Sequence, residues 1–219
     1  MSGHSWAAIQ GLRNAGLHHG LLPLLDHILD SNADSKGAND FVKLALANTD
    51  NRIQSGKSVS AGFLFATLLW PDLLKNWKAN IAKGISNIPA LLDAMDDTIA
   101  AQSSGMTIQR RFESDMREIW SMQPRFEKRV GRYPYRLIES PRFRAGYDFM
   151  LLRCATGEQD PAIGQWWTNF ISADPAGQEA LMASAKTELG SNPSSPAKRR
   201  RRRKPKAGTP AENNQPQQT

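Results

Sequence analysis

Apolar side chains recur at helical spacing from about residue 4 to residue 189, and no stretch of useful length alternates as a β-strand would. That property excludes sheet-based folds and leaves an all-α protein, an irregular multi-helix bundle. Gly, Ser, Asn and Pro punctuation divides the run into predicted helices over 4–14, 17–29, 37–55, 59–79, 86–103, 107–131, 141–156, 160–172 and 174–189. In the third of these, Phe41, Leu44, Ala45 and Ile53 fall on one side, with Lys43 and Asp50 off it. Ala61–Trp70 (AGFLFATLLW) is apolar on every face, which predicts a buried central helix bounded or kinked by Pro71. It is also the longest apolar stretch, about half of what a bilayer span needs. The N-terminus has no continuous apolar signal-peptide core. The single Cys154 excludes an intramolecular disulfide and fits a reducing compartment. A soluble cytoplasmic protein with no membrane partner is expected.

The charge is unevenly placed. Residues 1–197 carry 20 Lys/Arg and 20 Asp/Glu, so the formal +7 comes from residues 198–219, with eight cations and Glu212. The cations form one block: Lys198, Arg199, Arg200, Arg201, Arg202, Arg203, Lys204 and Lys206. From about residue 191 the chain has almost no apolar side chains and is rich in Pro, Ser and Gln, so a disordered basic tail is expected. A solvated cationic block on a neutral body marks a polyanion as partner, nucleic acid first.

The body has a cationic segment of its own, with eleven Lys/Arg against six Asp/Glu over residues 106–153, ten of the eleven being Arg. On a continuous helix over 107–132, Ile108, Phe112, Met116, Ile119, Phe126 and Val130 share an arc of about 80°. Arg110, Arg111, Arg117, Arg125, Lys128, Arg129 and Arg132 cluster opposite, and Pro124 is expected to kink the helix near Trp120. A solvated surface face accounts for such a strip as well as a binding face does. The preference for Arg favours binding, because a planar guanidinium matches phosphate and stacks on bases. Gly131–Arg144 then interleaves Arg132, Arg136, Arg142 and Arg144 with Tyr133, Tyr135 and Phe143, an inventory suited to single-stranded nucleic acid. The tyrosines can equally be half-buried, and Phe143 reads better as core. Ser140-Pro141 reads as a helix start, Ser140 capping and Pro141 in the first turn. That helix puts Phe143, Tyr147, Met150 and Leu151 on one side and Arg142 and Arg153 nearer the other.

At these residues the sequence resembles a known family. Met116–Trp120, Gln123, Arg125, Arg129, Gly131, Arg132 and SPRFRAGYDFMLLR (Ser140–Arg153) resemble the arginine-rich C-terminal region of bacterial poly(A) polymerases. ANTDNRI (Ala47–Ile53), AGFLFATLLW, Trp166-Trp167 and the basic tail resemble the helical body and end of the same enzymes, and Ser140 departs where a His is expected. The resemblance implies RNA, as single-stranded 3′ ends, with an RNA helicase and other RNA-decay proteins as further partners. Taken with the cationic strip, this reading has Arg110, Arg111, Arg117, Arg125, Lys128, Arg129, Arg132 and Arg136 line the RNA path by phosphate pairing, with Tyr133 and Tyr135 stacking on bases. The resemblance also implies ATP and Mg²⁺, but on a nucleotidyltransferase head with a Gly-Ser turn and paired carboxylates. No such arrangement is found in this chain, so by itself it is expected to bind no cofactor and catalyse nothing. Met1 is then expected to be an internal methionine or a truncation start. The organisation expected is a helical body over 1–105 (in the family an RNA- and helicase-binding region), an arginine-rich helical domain over 106–190, and the tail over 191–219.

Other clusters carry less. Asp93, Asp96 and Asp97 share one helical face, which would suit Mg²⁺ in an independent all-α enzyme, but no facing cluster is evident. His4, His18, His19 and His27 lack partners at zinc spacing, so no metal site is expected. Cys154 reads as a buried structural thiol, and Trp166-Trp167 as one core ring and one exposed or partner-facing ring.

Overall fold

The computed structural model describes residues 4–16, 36–103 and 108–190. The helix expected over 17–29, the tail from 191, and His18, His19 and His27 lie outside the described residues. Within them there are ten α-helices and no strand. They are α1 (Ser5–Asn14), α2 (Lys36–Gln54), α3 (Ala61–Leu68), α4 (Trp70–Ala82), α5 (Asn87–Ser103), α6 (Arg110–Met122), α7 (Tyr133–Ile138), α8 (Phe143–Ala155), α9 (Pro161–Ser172) and α10 (Pro175–Gly190). The protein is all-α.

The apolar run from Ala61 does pass through the core, but as two helices. Ser60 caps α3 by accepting from the Phe63 N–H, and α3 ends at Leu69, where Pro71 occupies the first turn of the next helix. Proline is accommodated there because first-turn N–H groups have no intrahelical acceptor. The α4–α5 hairpin turns through Gly84, whose φ of 89° suits a residue without Cβ. Asn80 Nδ2 donates to Ala90 O across it, and Trp77 Nε1 to Asn87 O. At the N-terminus, Asp50 on α2 accepts from both the N–H and the hydroxyl of Ser5, fastening α1.

Two hydrophobic clusters result. The first joins α2 through α5 with Met116, Ile119 and Trp120 of α6 and Phe149 and Leu152 of α8. Phe149 lies edge-on to Trp70 and Phe41, with ring centres 5.0 and 5.3 Å apart. The second gathers Met122, Phe126, Phe143, Tyr147 and Met150 around Trp166, Trp167 and Phe170. Both α6 and α8 contribute to both clusters. Gly62 lets α3 approach α6 and Gly146 lets α8 approach α6: a Cβ at Gly62 would stand 2.7 Å from Asp115 Cβ, and one at Gly146 would stand 2.6 Å from Met122 Sδ.

Several expectations are corrected. The helix over 107–131 stops at Met122, because Pro124 sits in a 3₁₀ turn, Gln123–Arg125, that ends it instead of kinking it. Residues 133–138 form a short helix of their own, with Pro134 in its first turn. Ser140 does not cap the next helix; α8 starts at Phe143, whose N–H donates to Ser140 O in a turn. Trp166 and Trp167 are both buried, since each indole N–H finds a carbonyl, Leu181 O and Phe126 O respectively. Arg153 is buried as well, 6% exposed, on the inner side of α8.

That guanidinium is held at the junction of the clusters. Its Nε donates to Glu158 Oε1 at 2.7 Å and its Nη1 to Gln123 Oε1 at 3.3 Å, and it lies 5.0 Å from the Trp70 ring centre. Glu158 Oε2 accepts from Trp70 Nε1, and Gln123 Nε2 donates to Ile119 O and Gly146 O. Removing the cation leaves Glu158 and Gln123 Oε1 without it in a region water scarcely reaches. Arg153→Met is expected to lower the unfolding free energy by about 3–5 kcal/mol in urea titration. A change below about 1 kcal/mol would show that the network does not hold the clusters together.

Candidate nucleic-acid interface

The end of α6 decides where the cations stand. A continuous helix would have set Arg125, Lys128, Arg129 and Arg132 in line with Arg110, Arg111 and Arg117. The 3₁₀ turn instead hands them to a separate segment, 125–136, with five cations against Glu127. Gly131, at φ 67°, turns the chain into α7.

Within this segment Arg125, Arg132 and Arg136 are exposed and form no ion pair with a described residue. Lys128 Nζ lies 5.0 Å from the centre of the Tyr133 ring, which is 56% exposed. An exposed aromatic ring and unpaired guanidinium groups on one short segment supply both contacts that single-stranded nucleic acid uses, ring stacking and phosphate pairing. Tyr135 is less available, because one side of its ring packs 5.5 Å from Phe170.

The other arginines are committed to protein partners in differing degrees. Arg129 is largely buried over Trp166 and pairs with Glu188 of α10 at 3.5 Å. Arg117 bridges Asp96 at 2.7 Å and Glu113 at 3.2 Å. Arg142 pairs with Asp115 at 2.6 Å and Arg144 with Asp148 at 3.0 Å, though both arginines stay exposed. Arg110 and Arg111 are exposed on the first turn of α6, Arg111 lying 4.5 Å over Phe112. Phe143 is core, 9% exposed, as its sequence context suggests.

A second feature has no counterpart in the reading of the sequence. A groove of about 700 Å³ opens between α2, the segment 58–63 and α8. Leu44, Val59, Phe63, Ala145, Leu151 and Leu152 give it an apolar lining, and Asn48, Asn51, Arg52, Arg142 and Arg144 its exposed polar edge. ANTDNRI and SPRFRAGYDFMLLR, remote in sequence, therefore face one another across it. That both segments carry the same resemblance was the available signal, but helical periodicity within each gives no pairing between them.

Asp96 is taken up by Arg117, and no three His, Cys, Asp or Glu side chains among the described residues are grouped to hold a metal ion. Burial pushes the Cys154 thiol above its usual range, and its Sγ donates to Asp160 O at 3.5 Å. A raised pKa means less thiolate near neutrality. Cys154 should therefore react with iodoacetamide more slowly than free cysteine at pH 8, and its rate should keep rising with pH after that of free cysteine has levelled off. A rate above that of free cysteine would contradict the thiol's inert role. Among the described residues no helix is long and apolar enough to cross a membrane.

Fold and surface thus define an all-helical protein with an arginine-rich, aromatic-bearing face. Residues 83–206 match the family model described as the polymerase A arginine-rich C-terminus, and the chain belongs to that family. It is 31% identical over 212 residues to poly(A) polymerase I of Salmonella typhimurium strain LT2, covering 95% of this chain and 44% of that protein. It is 29% identical over 212 residues to poly(A) polymerase I of Escherichia coli O157:H7, with the same coverage. The Haemophilus influenzae poly(A) polymerase I is 30% identical over 175 residues, covering 78% of this chain and 38% of that protein. The chain thus spans less than half the length of these relatives.

Proposed function

We propose that this chain binds single-stranded RNA, and that within a poly(A) polymerase it holds the 3′ end presented to a nucleotidyltransferase head for extension with ATP. The observation that carries the reading is that segment 125–136 holds the exposed, unpaired Arg125, Arg132 and Arg136 together with Tyr133, whose exposed ring lies 5.0 Å from Lys128 Nζ. Lys128 adds to this segment, Arg110 and Arg111 are exposed at the other end of α6, and the ion-paired Arg117, Arg142 and Arg144 keep N–H groups beyond those facing their carboxylates. The Lys198–Lys206 block raises the encounter rate and the nonspecific affinity without choosing a sequence.

Salt dependence tests this reading. RNA affinity should fall with salt at a log–log slope of about −0.7 per phosphate contact. Replacing the eight tail cations by Ser should flatten the slope and leave measurable binding. Adding Arg125→Gln, Arg132→Gln and Arg136→Gln to that variant should flatten it again. If the tail replacement alone abolishes binding, the arginine-rich face is only a solvated surface.

A second reading is a docking module for an RNA helicase or another RNA-decay protein. It draws on Ile81, Ile88 and Leu92, large apolar side chains of α4 and α5 that are 43–48% exposed. Co-purification of such a partner should survive nuclease treatment and be lost in Ile88→Asp/Leu92→Asp. Loss on nuclease treatment alone would reduce it to bridging by RNA.

A further inference from the structure

We infer that the groove between α2 and α8 is a nucleotide subsite that takes one adenosine unit of single-stranded RNA, a proposal that rests on the RNA-binding reading above. Its volume, about 700 Å³, lies within the range of small-ligand sites. The chemistry of the lining selects the occupant. Leu44, Phe63 and Leu151 offer an apolar surface for a flat ring, and the larger purine covers more of it than a pyrimidine. Asn48 and Asn51 stand one helical turn apart on α2, both exposed, and neither side-chain amide bonds to a described residue. A carboxamide presents one donor edge and one acceptor edge, the complement of adenine N7 and N6–H₂. On the same N7 edge guanine presents two acceptors, N7 and O6, and does not offer that pair.

Across the groove, Arg142 and Arg144 supply the phosphate contacts. Arg142 gives Nη2 to Asp115, and Arg144 gives Nε and Nη2 to Asp148, so each keeps N–H groups for a further anion. With Arg52 the edge carries three guanidinium groups against the one lining carboxylate, Asp148, which suits a phosphodiester and disfavours an acidic peptide side chain lacking a ring for the floor. Arg52 Nη2 is bonded to Ser58 O at 3.2 Å, which fixes the position of that edge.

Two arms of one experiment separate this proposal from the RNA-binding reading. In the first, the full chain is titrated with adenosine 5′-monophosphate and its asparagine side-chain amide resonances are followed. The Asn48 and Asn51 signals should shift and saturate, and ribose 5-phosphate should leave them in place. Unmoved signals overturn the subsite whatever the rest of the protein does with RNA. In the second, oligo(A) and oligo(U) affinities are compared in the wild type and in Asn48→Leu/Asn51→Leu, exposed positions whose replacement is checked by an unchanged thermal midpoint. Wild type should prefer oligo(A) by about tenfold, and the variant should lose that preference while keeping its oligo(U) affinity and salt slope. A preference that survives in the variant, or is absent from a wild type that binds both, overturns the proposal. If neither oligomer binds while the mononucleotide still shifts the amides, the RNA-binding reading fails and the groove is overturned as an RNA subsite.

Discussion

A single buried cation joins the two halves of this protein. Arg153 leaves solvent at a cost of several kcal/mol, which only close and well-aligned partners can offset. It finds them on three elements: the indole of Trp70 where α4 begins, the carboxamide of Gln123 where α6 ends, and the carboxylate of Glu158 beyond α8. Trp70 belongs to the first hydrophobic cluster, while Gln123 bonds Gly146 O within reach of the second. The same contacts fix the rotation of α8 about its axis. With Arg153 turned inward and Phe149 seated between Trp70 and Phe41, Arg144, Asp148, Leu151 and Ala155 share another side of α8 and line the groove facing α2.

The end of α6 depends on that joint. Gln123 is the first residue of the 3₁₀ turn that Pro124 imposes, and it is 1% exposed, anchored through both ends of its amide. Were the helix to run on, Arg125 to Arg132 would lie along one cylinder with Arg117. Because it stops, Phe126 drops into the second cluster beside Trp167, with ring centres 5.2 Å apart, and the basic residues around it are turned outward. Arg129 is the exception, folded over Trp166. The arginine-rich face is thus shaped by how one aromatic side chain is buried.

Much of the fold could be read from the chain because it is local. The 3.6-residue repeat of Phe41, Leu44 and Ala45 gave α2, and Pro71 gave the boundary between α3 and α4. What could not be read was long-range. A helical wheel counts Arg153 as polar and turns it outward, because only Glu158, Gln123 and Trp70 together make its burial tolerable. The wheel likewise split Trp166 from Trp167, whereas their indole donors reach carbonyls on two different elements, α10 and the turn after α6. For the site, the sequence located the basic residues but could not tell committed from available ones. Arg117 and Arg129 look like Arg125 and Arg132 until Asp96 and Glu188 are seen beside them. The groove was hidden for the same reason, since Asn51 and Arg144 are brought together only by the packing of α2 on α8.

In the function proposed above, the folded surface over 125–136, and not the basic tail alone, carries the RNA. Ultraviolet cross-linking of a short single-stranded RNA to the full chain at physiological salt, with the linked residues mapped by mass spectrometry, addresses it directly. Links are expected at Tyr133 and its neighbours between Arg125 and Arg136, diminished by unlabelled RNA competitor. Links confined to residues beyond 190, with none on this segment, would contradict it.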